Sequence, residues 1–179
     1  MTITIRPASA SDSAEIAAIY RYYVDNTVIT FDYESPDAHA WQVKMAGIHD
    51  AARPFLTAAD ENGTVVGFAY LAPFRAKQAY DWTVEDTIYL HPDHRGHGTG
   101  RRLLAALLTS ASVDTVRRII AVIAVTEETA ASIALHTRLG FTDSGTLSRV
   151  GFKHDRWVDC RMLEYSLDPV DGADAPPTG

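Results

Sequence analysis

Cysteine is almost absent from this 179-residue chain: Cys160 stands alone, which excludes an intramolecular disulfide and fits a reducing, cytoplasmic setting. No apolar run approaches the ~20 residues needed to cross a bilayer, and no basic-then-apolar leader opens the chain, so neither membrane insertion nor export is expected. Positive charge is scarce too. Lys and Arg number 16 against 23 Asp and Glu, and the net charge of −7 disfavours general nucleic-acid binding. No internal repeat is visible, so a solenoid is not expected. What remains is 46% hydrophobic, enough for one well-buried core and too short for two comfortable domains.

Residues 2–7 alternate, with Ile3 and Ile5 on one face, and predict an opening strand. Asp12 and Glu15 have capping-box spacing ahead of an apolar stripe of Ile16, Ile19, Tyr20 and Tyr23. Ser35-Pro36 predicts a second helix start, with Trp41, Met45 and Ile48 as its stripe. Strands at 55–59 and 64–71 flank Asn62-Gly63, a tight-hairpin signal. A further strand spans 84–90, a helix 98–112, and an almost wholly apolar strand 119–125, as if covered on both faces. The last helix covers 130–139, stopped by Gly140, and strands begin at Phe141 and Trp157. Helices set between strands after the hairpin favour an α/β or α+β sheet with helices packed on it, as one domain over 1–167. Residues 168–179 are Pro, Gly and Asp with little to bury and read as a disordered tail.

One stretch organises the rest. Ile88 to Leu104 reads I-Y-L-H-P-D-H-R-G-H-G-T-G-R-R-L-L: a strand, a Pro turn, three glycines in five residues, and then a helix. Glycines let the backbone approach a ligand, and the first N–H groups of a helix attract anions; Arg95, Arg101 and Arg102 add charge. A phosphate-bearing ligand suits such a turn. No Lys follows Gly100, so a Walker A loop is excluded, and the glycine spacing departs from a dinucleotide fingerprint. His91, His94 and His97 are three apart but span a Pro turn without Cys or paired acidic partners, so no metal site is expected.

Arg95, Gly98 and Gly100 fit the pattern [RQ]-x-x-G-x-[GA], which resembles the pyrophosphate loop of the GNAT superfamily of N-acetyltransferases. Leu135-His136-Thr137-Arg138-Leu139-Gly140-Phe141 is similar to the end of that family's last helix. Ala79-Tyr80-Asp81-Trp82-Thr83-Val84-Glu85 and Gly151-Phe152-Lys153-His154, followed by Trp157, look like its phosphinothricin N-acetyltransferase branch. Together these motifs cover most of residues 3–167. The resemblance implies the GNAT fold, a mixed central β-sheet with helices on both faces, and acetyl-CoA as cofactor. It also implies a small amine acceptor, with phosphinothricin, methionine sulfoximine and methionine sulfone leading, and a homodimer.

Carried over by position, the resemblance gives Ile88, Tyr89 and Leu90 to the pantetheine arm, with the Leu90 N–H on the thioester carbonyl. Arg95, Gly96, His97, Gly98, Thr99, Gly100 and Arg101 hold the pyrophosphate. Thr129 stands where relatives often place Asn, and its hydroxyl has shorter reach. The acceptor falls to Phe31, Arg75, Lys77, Tyr80 and Glu85, and Lys153 to a neighbouring subunit's site. Glu85, on the strand feeding the loop, is the candidate base; a carboxylate there works through water or with a raised pKa. His136 stands where relatives carry a thiolate-protonating Tyr, and either role, acid or base, is open to it. Aminoglycosides, polyamines and protein N-termini are rival acceptors, and a silent acyl-CoA-binding module is the rival of another class. Arg75 and Lys77 argue against a polycationic acceptor.

Overall fold

A computed structural model describes residues 2–167; the tail expected at 168–179 lies outside the described residues. Strand β1 is Thr4–Pro7, followed by helices α1, Ser13–Asn26, and α2, Ala38–Asp50. Then come β2, Phe55–Ala59; β3, Val65–Pro73; β4, Thr83–Leu90; α3, Thr99–Ser110; and β5, Arg118–Ala124. Helix α4, Ala130–Arg138, precedes the long hairpin of β6, Thr142–Lys153, and β7, Arg156–Ser166. The seven strands form one mixed sheet in the order β1-β2-β3-β4-β5-β7-β6, with β4 and β5 its parallel pair. Helices cover both faces, as expected.

Two apolar clusters follow from the helix stripes. Ile16, Ile19 and Tyr20 of α1 meet Trp41 and Met45 of α2 over Phe55, Phe68 and Tyr70 on one face of the sheet. Leu103, Leu104 and Leu107 of α3 pack with Leu71, Val84, Ile119 and Leu163 on the other face, joined by Ile133, Leu135 and Leu139 of α4 and its exit. Each helix therefore anchors through one side, leaving its ends free to build a site.

Several local details differ from the sequence reading. Asp12 closes a one-turn helix, Ala10–Asp12, accepting from the Ser9 N–H at 2.8 Å and pairing with Arg6 at 2.7 Å. Glu15 instead accepts from the Val65 N–H at 3.1 Å and so ties α1 to β3. Helix α2 starts two residues beyond Pro36, because the Asp37 carboxylate caps it through the Ala40 N–H at 2.8 Å. At the hairpin only Gly63 takes positive φ, +85°. The connection is a longer one over 60–64, in which Asp60 accepts from the N–H groups of Asn62 and Thr64, each at 2.9 Å. Strand β5 is not covered on both faces: Ile119, Ala121 and Ile123 are buried, while Ile120 and Val122 are half-buried. The cause is a parting of the sheet. Strand β4 stays registered with β3 through Leu90, and β5 stays registered with β7 through Ala124, but β4 and β5 pair only from Thr83–Arg118 to Glu85–Ile120. Beyond that point the two halves of the sheet diverge.

Candidate active site

The divergence opens a cavity of about 670 Å³ that runs through the sheet, from Tyr20, Thr30, Phe31 and Lys44 on one face to the glycine turn and α4 on the other. Strand β4 forms its spine. The His91 N–H bonds the Val66 carbonyl at 2.8 Å, and alternation along an antiparallel ladder then turns the amides of Ile88 and Leu90 away from β3. On that side β5 has already departed. An internal strand edge is thus presented to the cavity, with the Leu90 carbonyl accepting from the Tyr23 hydroxyl.

Past β4 the chain makes the single turn Pro92–His94 and enters α3 through Gly98, whose φ of +80° other residues resist. A Cβ at 98 would meet nothing within 4 Å, so conformation rather than crowding selects glycine there. No side chain caps α3, and its leading N–H groups remain available to an anion. Arg95, Gly96, Gly98, Gly100 and Arg101 line the cavity, whereas His97 and the buried Thr99 do not. Arg95 is steadied by Tyr23, with Nε 3.2 Å from the hydroxyl and the guanidinium over the ring. Arg102 faces away, donating to the Ile3 carbonyl at 2.7 Å, because α3 leans its far side on β1. Thr129 lines the cavity, but its hydroxyl donates to the Ala124 carbonyl and accepts from the Thr126 N–H at 3.0 Å. That hydroxyl organises the turn into α4.

The opposite mouth is made of side chains. Glu85 faces it with Tyr20, Tyr70 and Lys44, and Lys44 Nζ donates to the Tyr70 hydroxyl at 2.7 Å. Burial and the neighbouring Asp86 push the Glu85 carboxyl above the usual range, while Arg75 and Lys44 pull it back. Phe31 lines the cavity as expected; Arg75 does not, its guanidinium lying 4.1 Å over the Phe74 ring, and it reaches Glu85 only through its field. Lys77 and Tyr80 do not line it: the chain turns outward through Gln78–Tyr80, and Tyr80 packs against Phe74. Lys153, expected to reach a partner, is 2% exposed and donates within its own chain to the Thr30 carbonyl at 2.9 Å. Lys44 was the residue missed. It stands on α2, far from any motif, and only its place beside an apolar stripe at Trp41 and Met45 hinted at the mouth.

His136 lies on the other side of β4. Its Nδ1 is 2.7 Å from the Ser132 carbonyl and its Nε2 3.0 Å from Asp86 Oδ2. With both nitrogens against oxygen atoms, the surroundings favour the doubly protonated, positively charged ring. Burial lowers its pKa, but the hydrogen bond and charge of Asp86, with the Ser132 carbonyl, outweigh this and raise it. Side chains alternate along a strand, so Asp86 and His136 stand on the face opposite Glu85. Both residues line the cavity, but each ring nitrogen is engaged within the chain. Asp86 was unsuspected in the sequence; the signal available was a second acid beside Glu85, which alternation sends to the buried face.

A strand edge and an uncapped glycine turn sharing one cleft suit an extended ligand with a phosphate end. The profile of the acetyltransferase (GNAT) family matches residues 14–141. The chain belongs to that family. It is 36% identical to phosphinothricin N-acetyltransferase of Streptomyces viridochromogenes, over 93% of this chain and 88% of that protein. It is 35% identical to the L-methionine sulfoximine/L-methionine sulfone acetyltransferase of Pseudomonas paraeruginosa, over 97% and 99%. The crystal structure of a GNAT superfamily phosphinothricin acetyltransferase from Sinorhizobium meliloti in complex with acetyl-CoA superposes with a TM-score of 0.87 at 38% identity, covering 99% of this chain and 98% of that one. The protein is thus a GNAT N-acetyltransferase, and acetyl-CoA is its acetyl donor. The cleft fits the donor: the exposed edge of β4 matches an amide-bearing arm, and the start of α3 matches a pyrophosphate.

Proposed function

We propose that this GNAT enzyme acetylates the α-amine of a small amino acid or analogue, with phosphinothricin, methionine sulfoximine and methionine sulfone as leading acceptors. The observation that carries the reading is that Glu85 and Lys44 share the side-chain-built mouth, with Arg75 outside the lining but near enough for its charge to act on Glu85. An amino acid brings an ammonium for the carboxylate and a carboxylate for the cations; Arg favours bidentate contact and Lys a point charge.

Bound acetyl-CoA supplies the activated acetyl thioester. The residues of the chain do the rest. Arg95, Arg101 and the leading amides of α3 hold the pyrophosphate, and the Ile88 and Leu90 amides align the arm, with the Leu90 N–H as the candidate donor to the thioester carbonyl. Glu85 accepts a proton from the acceptor ammonium, directly or through water, leaving an amine able to attack. Its elevated pKa suits it to that role better than an ordinary carboxylate. His136, held by Asp86 and Ser132, acts as a fixed charge that positions α4 against β4.

The outer hairpin presents Leu147, Val150, Phe152 and Trp157 to solvent, an apolar patch suited to a second copy, which supports a homodimer. The buried thiol of Cys160 suits a reducing cytoplasm. The deciding experiment is thiol release from acetyl-CoA with the three analogues, common amino acids, spermidine, an aminoglycoside and an N-terminal peptide. Selective turnover of the analogues is expected; equal turnover of spermidine or the aminoglycoside overturns the reading of Lys44 and Arg75.

A further inference from the structure

Strand β6 is mostly exposed, yet its last turn inward is built with care. Its register with β7 slips between Leu147 and Gly151, where Arg149 adopts φ of 51° and its N–H is held by Asp159 Oδ1 at 2.7 Å. Such a bulge re-aims the side chains that follow it. Gly151 and Lys153 become buried, and Phe152 points outward.

The inward pair meets the segment between α1 and α2. Lys153 Nζ fixes the Thr30 carbonyl, and the Tyr33 hydroxyl donates to the Phe152 carbonyl, so the segment is tied to β6 on both sides of Phe31, through backbone at Thr30 and through a side chain at Tyr33. The Phe31 ring rests on Gly151 so closely that a Cβ there would overlap three of its ring atoms. Gly151 has no positive φ; the ring, not the backbone, requires glycine. Phe31 in turn walls the cavity beside Thr30 and Asp32.

We infer that Gly151 is a specificity-determining position for acetyl transfer: lacking a side chain, it lets the Phe31 ring recess against β6 and so sets the bulk of acceptor that fits. The inference rests on the assignment of the Glu85 and Lys44 mouth to the acceptor. A methyl at 151 displaces the ring; with the segment tied to β6 at Thr30 and Tyr33, the ring turns about its own side-chain bonds and narrows the mouth. Gly151 acts only through Phe31, as a positioning residue.

A double-mutant cycle of Gly151→Ala and Phe31→Ala tests this, read as kcat/KM for acceptors of small and of methionine-like side chain, with the acetyl-CoA KM measured alongside. Gly151→Ala is expected to lower kcat/KM about tenfold more for the bulky acceptor than for the small one, the scale of a lost fit in an apolar pocket. The acetyl-CoA KM stays unchanged, and the discrimination vanishes in the Phe31→Ala background. Uniform loss over acceptors, a rise in acetyl-CoA KM, or the same discrimination without Phe31 overturns the inference. If Gly151→Ala alone does not fold, the double variant, freed of the overlap, must fold and match Phe31→Ala; its failure also overturns the inference. A parent enzyme that prefers another class of amine refutes the acceptor reading separately, and the cycle is then read with a small and a bulky member of that class.

Discussion

The two ends of the cavity are made of different material. At the end assigned to the donor the lining is mostly backbone, the free edge of β4, the glycine turn and the leading amides of α3, joined by the Arg95 and Arg101 side chains, all within residues 88–101. At the end proposed for the acceptor the lining is side chains on separate elements, with Tyr20 on α1, Lys44 on α2, Tyr70 on β3 and Glu85 on β4. A backbone site depends on conformation and withstands most side-chain changes that keep it. A side-chain site can be retuned residue by residue. One fold can therefore keep a common acyl donor while exchanging acceptors.

The sharpest break in this comparison should come at Glu85. Glu85→Gln is expected to lower kcat by about 100-fold or more, the usual cost of losing a positioned base, without changing donor affinity. Thiol-release kinetics and calorimetric titration with coenzyme A separate the two effects. In the parent, activity should rise with pH through a Glu85 ionisation lying above the ordinary carboxylate range, because burial and Asp86 disfavour its charged form.

Breaking the pair between the two ends costs stability instead. Asp86→Ala strands the His136 charge and is expected to destabilise by on the order of 3 kcal/mol at neutral pH, read by denaturant unfolding. The His136 pKa is raised in the fold. Its contribution is complete below the unfolded value of about 6.5 and is lost as pH rises through the folded value. The gap between parent and Asp86→Ala should accordingly narrow towards alkaline pH, and a gap that widens there would contradict the charged pair.

At the donor end, Gly98→Val forces a β-branched residue into φ near +80° and is expected to weaken coenzyme A binding by roughly 30-fold, from strain of about 2 kcal/mol. Acceptor discrimination should not change. The smallest effect sharpens the acceptor end: Lys44→Met should raise the KM for an amino acid about tenfold, for loss of one charge-assisted contact, while the donor KM stays fixed. Because Lys44 lowers the Glu85 pKa, the same variant should move the activity ionisation to higher pH.

These two ends also differ in how far they could be read from the chain. The glycine turn was legible because all its parts are neighbours in sequence and its conformational demands exclude other residues at Gly98. Glu85 was legible from its place on the strand entering that turn. Arg75, Lys77 and Tyr80 formed one basic and aromatic run, yet the turn at Gln78–Tyr80 leaves only Arg75 close enough to influence Glu85. Lys44 carried no signal beyond its place beside the Trp41 and Met45 stripe, since what brings it to the cavity is the packing of α2 over β3. His136 was noticed for its position, but its partner Asp86 is fifty residues away, and only the crossing of α4 over β4 joins them.

Sequence by itself determined the alternation of strands and helices and the glycine turn, because periodicity, glycine φ demands and capping act over a few residues, and the family was legible as a resemblance carried by short contiguous motifs. Tertiary structure alone decided where β4 and β5 part, which face each acid of the Glu85-Asp86 pair takes, and that Gly151 makes room for Phe31. Those outcomes depend on strands following their other neighbours and on rings meeting across more than a hundred residues, distances over which the order of residues carries no geometry until the sheet has formed.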